Sequence, residues 1–98
     1  MSMPTLQPGP YIILTYDYVA DILERRDPVR PAHLEHAKAA KQRGDLINVG
    51  AVGSPPIGAV FVFADIDPAA IEAYAAADAY VTAGLVTDWR IEPWTVVV

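Results

Sequence analysis

The stretch Gly58–Ala77, GAVFVFADIDPAAIEAYAAA, contains a strand, a cap and a helix in immediate succession, and it decides the fold. Gly58 to Ala64 is β-branched and aromatic, and too short for a stable helix. Asp67-Pro68 follows. Aspartate accepts hydrogen bonds from free first-turn amides, and proline is preset for the first helical position. The alanine-rich segment behind them predicts a helix through Ala77.

Upstream, Leu46 to Val52 predicts another strand. It is joined to the first by Gly53-Ser54-Pro55-Pro56, which is too rich in proline to be strand and reads as a hairpin loop. Before it, Pro28 and Pro31 stand at the mouth of a helix that runs to Arg43. Gly44 is placed to end it, and Lys38, Lys41 and Arg43 suit the negative end of its dipole. Asp17 to Arg26 reads as a short helical turn or loop, and Tyr11 to Tyr16, YIILTY, as the opening strand. Met1 to Pro10 has three prolines and little pattern, and reads as a loose arm before a single domain over residues 11–98. Downstream, a turn over Asp78 to Gly84 leads into a last strand, Leu85 to Val98. There Thr87, Trp89 and Ile91 alternate with Asp88, Arg90 and Glu92 until Pro93 breaks the period, at a bulge or a sheet edge.

The order is βαββαβ, an α+β ferredoxin-like arrangement: a four-stranded antiparallel sheet with two helices on one face. The third strand is apolar on both sides, with Ala59, Phe61 and Phe63 opposing Val60, Val62 and Ala64. The first shows Ile12 and Leu14 against Tyr11 and Ile13. Sheets apolar on both faces need two covers, and this chain has helices for one. The expected partner is a second copy, packed sheet to sheet as a homodimer.

Composition narrows the function. The 98 residues are 53% hydrophobic and 19% charged, with no cysteine. Disulfides, thiolate catalysis and Cys-based metal sites are thereby excluded. Seven basic and twelve acidic residues give a net charge of −5 without a basic stripe, which argues against nucleic acid or anionic membranes as partners. No signal-peptide pattern or long apolar run is visible, so the expected location is the cytoplasm.

Both histidines lie in the first long helix, within RPAHLEHAKAAKQRG. At about 100° per residue, Leu34, Ala37, Ala40 and Lys41 define its less polar stripe, and His33 falls inside it. His36 falls among Glu35, Ala39 and Arg43, and is expected in solvent with no role. An inward imidazole needs a hydrogen-bond partner. His33 is either a core histidine bonded to a backbone carbonyl, or one held by a carboxylate and able to move protons. Asp65, Asp67 and Asp88 each have a structural explanation. Asp78, at the end of the second helix, opposes the dipole there. It is either the cap of a short turn over Ala79 to Thr82 or the partner of His33, depending on how the two helices are registered.

Other chemistries find no support. HLEH is not the HExxH zinc pattern, and its histidines diverge. Gly50, Gly53 and Gly58 lack phosphate-loop spacing, and Ser2 and Ser54 have no nucleophile-elbow context. No metal and no cofactor is expected.

YIILTYD, RPAHL (Arg30 to Leu34), DLINVGAV and ADAYVTAGLV (Ala77 to Val86) followed by WRIEPW together resemble the YciI-like (YCII-related) family of the dimeric α+β barrel superfamily. The family usually has Asp-Pro-Tyr where this chain has Asp78-Ala79-Tyr80. The resemblance implies a His–Asp pair in a cleft of each subunit, mapping onto His33 and Asp78. It also implies an anion- or phenolate-binding role for Arg30, with Tyr80 lining the pocket. One branch of the family is a dehydrochlorinase of chlorinated hydroxyquinols. Two functions follow. One is a cofactor-free enzyme of lyase or isomerase type, using the pair for general acid/base chemistry on a small hydroxylated cyclic or aromatic metabolite. The other is a non-catalytic dimeric module that binds a small ligand or a partner.

Overall fold

The computed structural model describes residues 6–98. Its elements are β1 (Gly9–Tyr18), α1 (Ile22–Arg25), α2 (Arg30–Gln42), β2 (Leu46–Val52), β3 (Gly58–Ala64), α3 (Pro68–Ala77), α4 (Ala79–Thr82) and β4 (Val86–Val96). The strands form one antiparallel sheet in the order β2-β3-β1-β4, the ferredoxin-like arrangement. Half of the expected arm, residues 1–5, lies outside the described residues. Gly9 and Pro10 belong to β1, where they pair with Val96 and Thr95.

Local chemistry sets the boundaries. The Asp67 carboxylate accepts from the Ala69 amide at 3.0 Å and starts α3, with Pro68 in the first turn. Beyond α2, Gly44 adopts φ 84°, a left-handed geometry that glycine takes without strain. Pro93 sits in β4, an edge strand, where a missing amide costs no central ladder bond. The irregularity in β1·β4 pairing comes instead at Asp17/Tyr18.

The cross-strand pairs Ile12↔Phe63, Leu14↔Phe61 and Tyr16↔Ala59 stack on the helical side of the sheet. These six side chains join Ala37, Ala40, Leu46, Ile71, Tyr74 and Ala75 in the main core. β1 and β3 leave no room for a side chain at Gly58: a Cβ there would collide with the carbonyl oxygen of Tyr16, so no larger residue fits without parting the two strands. Leu34 departs from its expected inward position. The buried line of α2 is His33, Ala37 and Ala40, whereas Leu34 is exposed at the helix edge and Lys41, expected on the same stripe, is exposed too. The small alanines let α2 lie close to the sheet, and a leucine one residue off that line is left at the rim.

Candidate active site

The end of α3 places an acid inside the protein. Asp78 caps α4 with extended backbone (φ −68°, ψ 131°), and its Oδ1 accepts from the Tyr80 amide at 3.0 Å. The side chain is fully buried, at 0 % exposure. Such a carboxylate is tolerable only where donors replace its water. Two more are present: the Tyr16 hydroxyl, from β1, donates to Oδ2 at 2.8 Å, and His33 Nδ1 lies 2.7 Å from Oδ1. The two alternatives for Asp78 therefore hold together, since one carboxylate both caps α4 and meets the histidine. Ala79 takes the first helical position of α4, a position that also tolerates proline. The Asp-Ala-Tyr sequence thus keeps the capping geometry.

Burial, then the charge of Asp78 and the bond to it, push the Tyr16 phenol far above its ordinary range. Tyr16 is consequently a fixed donor. A carboxylate facing Nδ1 places that nitrogen's proton between the two groups, so the acceptor lone pair of the neutral ring is on Nε2. Among the described residues Nε2 has no hydrogen-bond partner. The ring is clamped in orientation: it stacks on Tyr80 with centroids 3.7 Å apart and planes 4° from parallel, and the Phe61 ring stands edge-on at 6.4 Å.

This imidazole forms part of the wall of a cleft of about 180 Å³. Tyr18, Arg26, Arg30, Leu34, Ala59 and Tyr80 line it, together with Val49 to Ala51 of β2. The structure thus brings together all four residues singled out in the sequence: His33, Asp78, Arg30 and Tyr80. Asp78 lies behind the ring and out of the cleft, and the other three line it. Burial pushes the Tyr18 phenol up to about 12, and the neighbouring charges of Tyr80 and Asp78 add to this, while Arg26 and Arg30 pull the other way. Tyr80 is also raised by burial, against the same two guanidinium groups.

The sequence reading missed Tyr16, Tyr18 and Arg26. Tyr16 reads as one more aromatic in an apolar strand, and its hydroxyl finds Asp78 only through a contact 62 residues away. Arg26 and Tyr18 fall in or beside an irregular segment that no periodicity organises. His36 is a correction. It is half-buried rather than solvated: Nε2 lies 2.9 Å from the Tyr74 carbonyl, and its ring stacks on Tyr74 at 4.1 Å. The reason is a neighbouring helix. His33 and His36, one turn apart on α2, meet Asp78 and Tyr74, one turn apart on α3 and its end. The helices therefore run antiparallel, in a register that brings both histidines to the seam.

Among the described residues, no group of three or more His, Cys, Asp or Glu side chains comes together as a metal site, and no helix is long and apolar enough to cross a membrane.

Solved structures share this fold. The 5-chloro-2-hydroxyhydroquinone dehydrochlorinase of Burkholderia phenoliruptrix AC1100, solved in complex with 2,5-dihydroxybenzoquinone, superimposes with a TM-score of 0.72. The match covers 87% of this chain and 93% of that one at 15% identity. An antibiotic biosynthesis monooxygenase matches with a TM-score of 0.58 and 16% identity over 90% of this chain and 98% of its own. Protein PA3566 of Pseudomonas aeruginosa matches with a TM-score of 0.57 and 9% identity, over 97% of this chain and all of its own (100%). Identities this low show a common fold alone. No curated protein matches the sequence. The YCII-related domain profile, in contrast, matches residues 10–95, nearly the whole chain, and the protein belongs to that family.

Proposed function

We propose that this protein is an enzyme of lyase or isomerase type in which His33 moves protons on a small hydroxylated cyclic or aromatic metabolite. One observation carries the reading: Nδ1 of His33 is held 2.7 Å from a fully buried carboxylate, and the ring lines an open cleft with Nε2 unbonded among the described residues. A histidine serving only the core would have both nitrogens satisfied by protein.

In this mechanism Nε2 takes a proton from a substrate hydroxyl or an acidic C–H. The imidazolium that forms is stabilised by Asp78 across the Nδ1–H bond. Tyr16 and the Tyr80 amide hold the carboxylate still, so the ring does not turn as its charge changes. The same proton is then returned at another atom, giving an isomer, or leaves with a departing group, giving an elimination. Arg30 binds the developing oxyanion, and Tyr80 lines the pocket and fixes the imidazole plane. The relative of the same fold solved with a dihydroxybenzoquinone supports a substrate of this size and class. The chain acts as a homodimer, a reading supported by the half-buried Ile13 and Val60 on the sheet face that carries no helix.

The test is a panel of chlorinated hydroxyhydroquinones, hydroxyquinones and enol-lactones, followed by thermal shift and by absorbance. The reading expects turnover of a panel member that falls by at least about a hundredfold in His33→Gln. A ligand that stabilises wild type and His33→Gln equally and is never turned over would establish the binding module instead.

A further inference from the structure

Resting on that reading, we propose that Arg26 joins Arg30 in a two-guanidinium clamp, and that the cleft takes a small organic oxyanion rather than a neutral phenol or lactone. The sequence has five arginines. Three are neutralised within the fold: Arg25 by Asp21 at 3.4 Å, Arg43 by Asp45 at 3.2 Å, and Arg90 by Glu92 at 3.2 Å and Asp17 at 3.7 Å. Among the described residues Arg26 and Arg30 have no carboxylate partner, and these two line the cleft. In a chain carrying twelve acidic residues, partners were not scarce. Asp27, adjacent in sequence to Arg26, is exposed and forms no ion pair with either. The cleft lining includes no acidic residue.

Arg26 adds a second, independent observation. Its Nε is buried and, among the described residues, has no hydrogen-bond partner. A buried donor without a partner is costly, and this one belongs to a side chain that lines the cleft. The backbone brings the two residues within one helical turn of each other. The Arg26 carbonyl accepts from the Val29 amide at 3.0 Å and the Arg30 amide at 2.8 Å, a single turn that leads from Arg26 into the first residue of α2. The two guanidinium groups act together on the phenols of Tyr18 and Tyr80. Planar guanidinium forks pair with carboxylates or delocalised enolates through two parallel bonds. At about 180 Å³ the cleft is smaller than the pockets that hold drug-sized ligands, and suits one substituted ring. The ligand's charged end sits on the arginines, and its reacting atom faces Nε2 of His33.

Binding is measured by calorimetry on the intact protein with three probes. These are 2,5-dihydroxybenzoate, its neutral primary amide, and 2,5-dihydroxybenzoquinone, whose acidic enols supply a delocalised oxyanion without a carboxylate. At least one oxyanion is expected to bind about tenfold or more tighter than the amide. The tighter of the two identifies carboxylate or enolate as the recognised group. Arg26→Gln should lose about tenfold or more in affinity for it, Arg26→Lys should recover part of that loss, and Arg25→Gln should match wild type. The clamp is overturned by equal binding of amide and oxyanions, by wild-type affinity in Arg26→Gln, or by no saturable binding of either oxyanion. Turnover in His33→Gln is read separately. If it is unchanged, the proton-transfer reading fails and the anion preference stands; equal binding of acid and amide removes the clamp and leaves His33 untouched.

Discussion

Tyr16 and Asp78, 62 residues apart in sequence, are joined by a 2.8 Å hydrogen bond in which the phenol donates to a carboxylate with no access to water. The bond ties β1 to the junction of α3 and α4, and it makes the rear of the His33–Asp78 pair part of the core. Residues that orient His33 consequently also hold the fold together, and stability measurements report on the site.

The first consequence concerns alkaline pH. Tyr16 is harder to ionise in the folded chain than in the unfolded one, where its value is near the ordinary 10.0. A group with a raised folded value contributes stability that is fully present below about pH 10 and is lost as pH rises beyond it. Tyr18 and Tyr74 shift in the same direction. Urea unfolding from about pH 8 to about pH 11 should show stability falling steeply above about pH 10. Tyr16→Phe should be less stable by about 1–3 kcal/mol at neutral pH and have a shallower alkaline fall. Parallel curves for the two proteins would contradict the buried Tyr16–Asp78 bond.

Replacing Asp78 separates its two tasks. Asp78→Ala orphans three donors at once, and should cost about 3–5 kcal/mol in denaturant unfolding. Asp78→Asn keeps one oxygen for the Tyr80 amide and offers an amide group to the Tyr16 hydroxyl, which can turn to accept. It should fold with a smaller loss, yet it cannot stabilise an imidazolium, and any turnover found should drop sharply. If Asp78→Ala unfolds at the wild-type denaturant concentration, the carboxylate is not the buried hub described above.

The sheet face without helices makes a third prediction. Thr15↔Val60 and Ile13↔Val62 are neighbouring cross-strand pairs on that face. A dimer packed through this face should be split by Val60→Arg, which buries an unpaired charge at its centre. Light scattering on the eluting protein should then give the mass of one chain where wild type gives two. A wild-type mass of one chain would remove the sheet-to-sheet pairing.

The fold was legible because its signals are local. Short apolar runs rich in β-branched and aromatic residues marked Leu46–Val52 and Gly58–Ala64 with their exact bounds, and Asp67-Pro68 and Gly44 marked helix ends through backbone chemistry confined to a few residues. The inward phase of His33 is also local, since helical pitch alone sets it. The identity of its partner required the family resemblance, because Asp78 reads equally well as a cap.

What the sequence could not determine was every relation across elements. Whether His33 reaches Asp78, and that His36 leaves solvent for Tyr74, depends on how far one helix slides along another, which is decided by alanine packing against the whole sheet. The unpaired state of Arg26 and Arg30 is likewise a tertiary fact. Ion pairing is decided within a few ångströms, and only the folded chain determines which of twelve acidic residues comes that close.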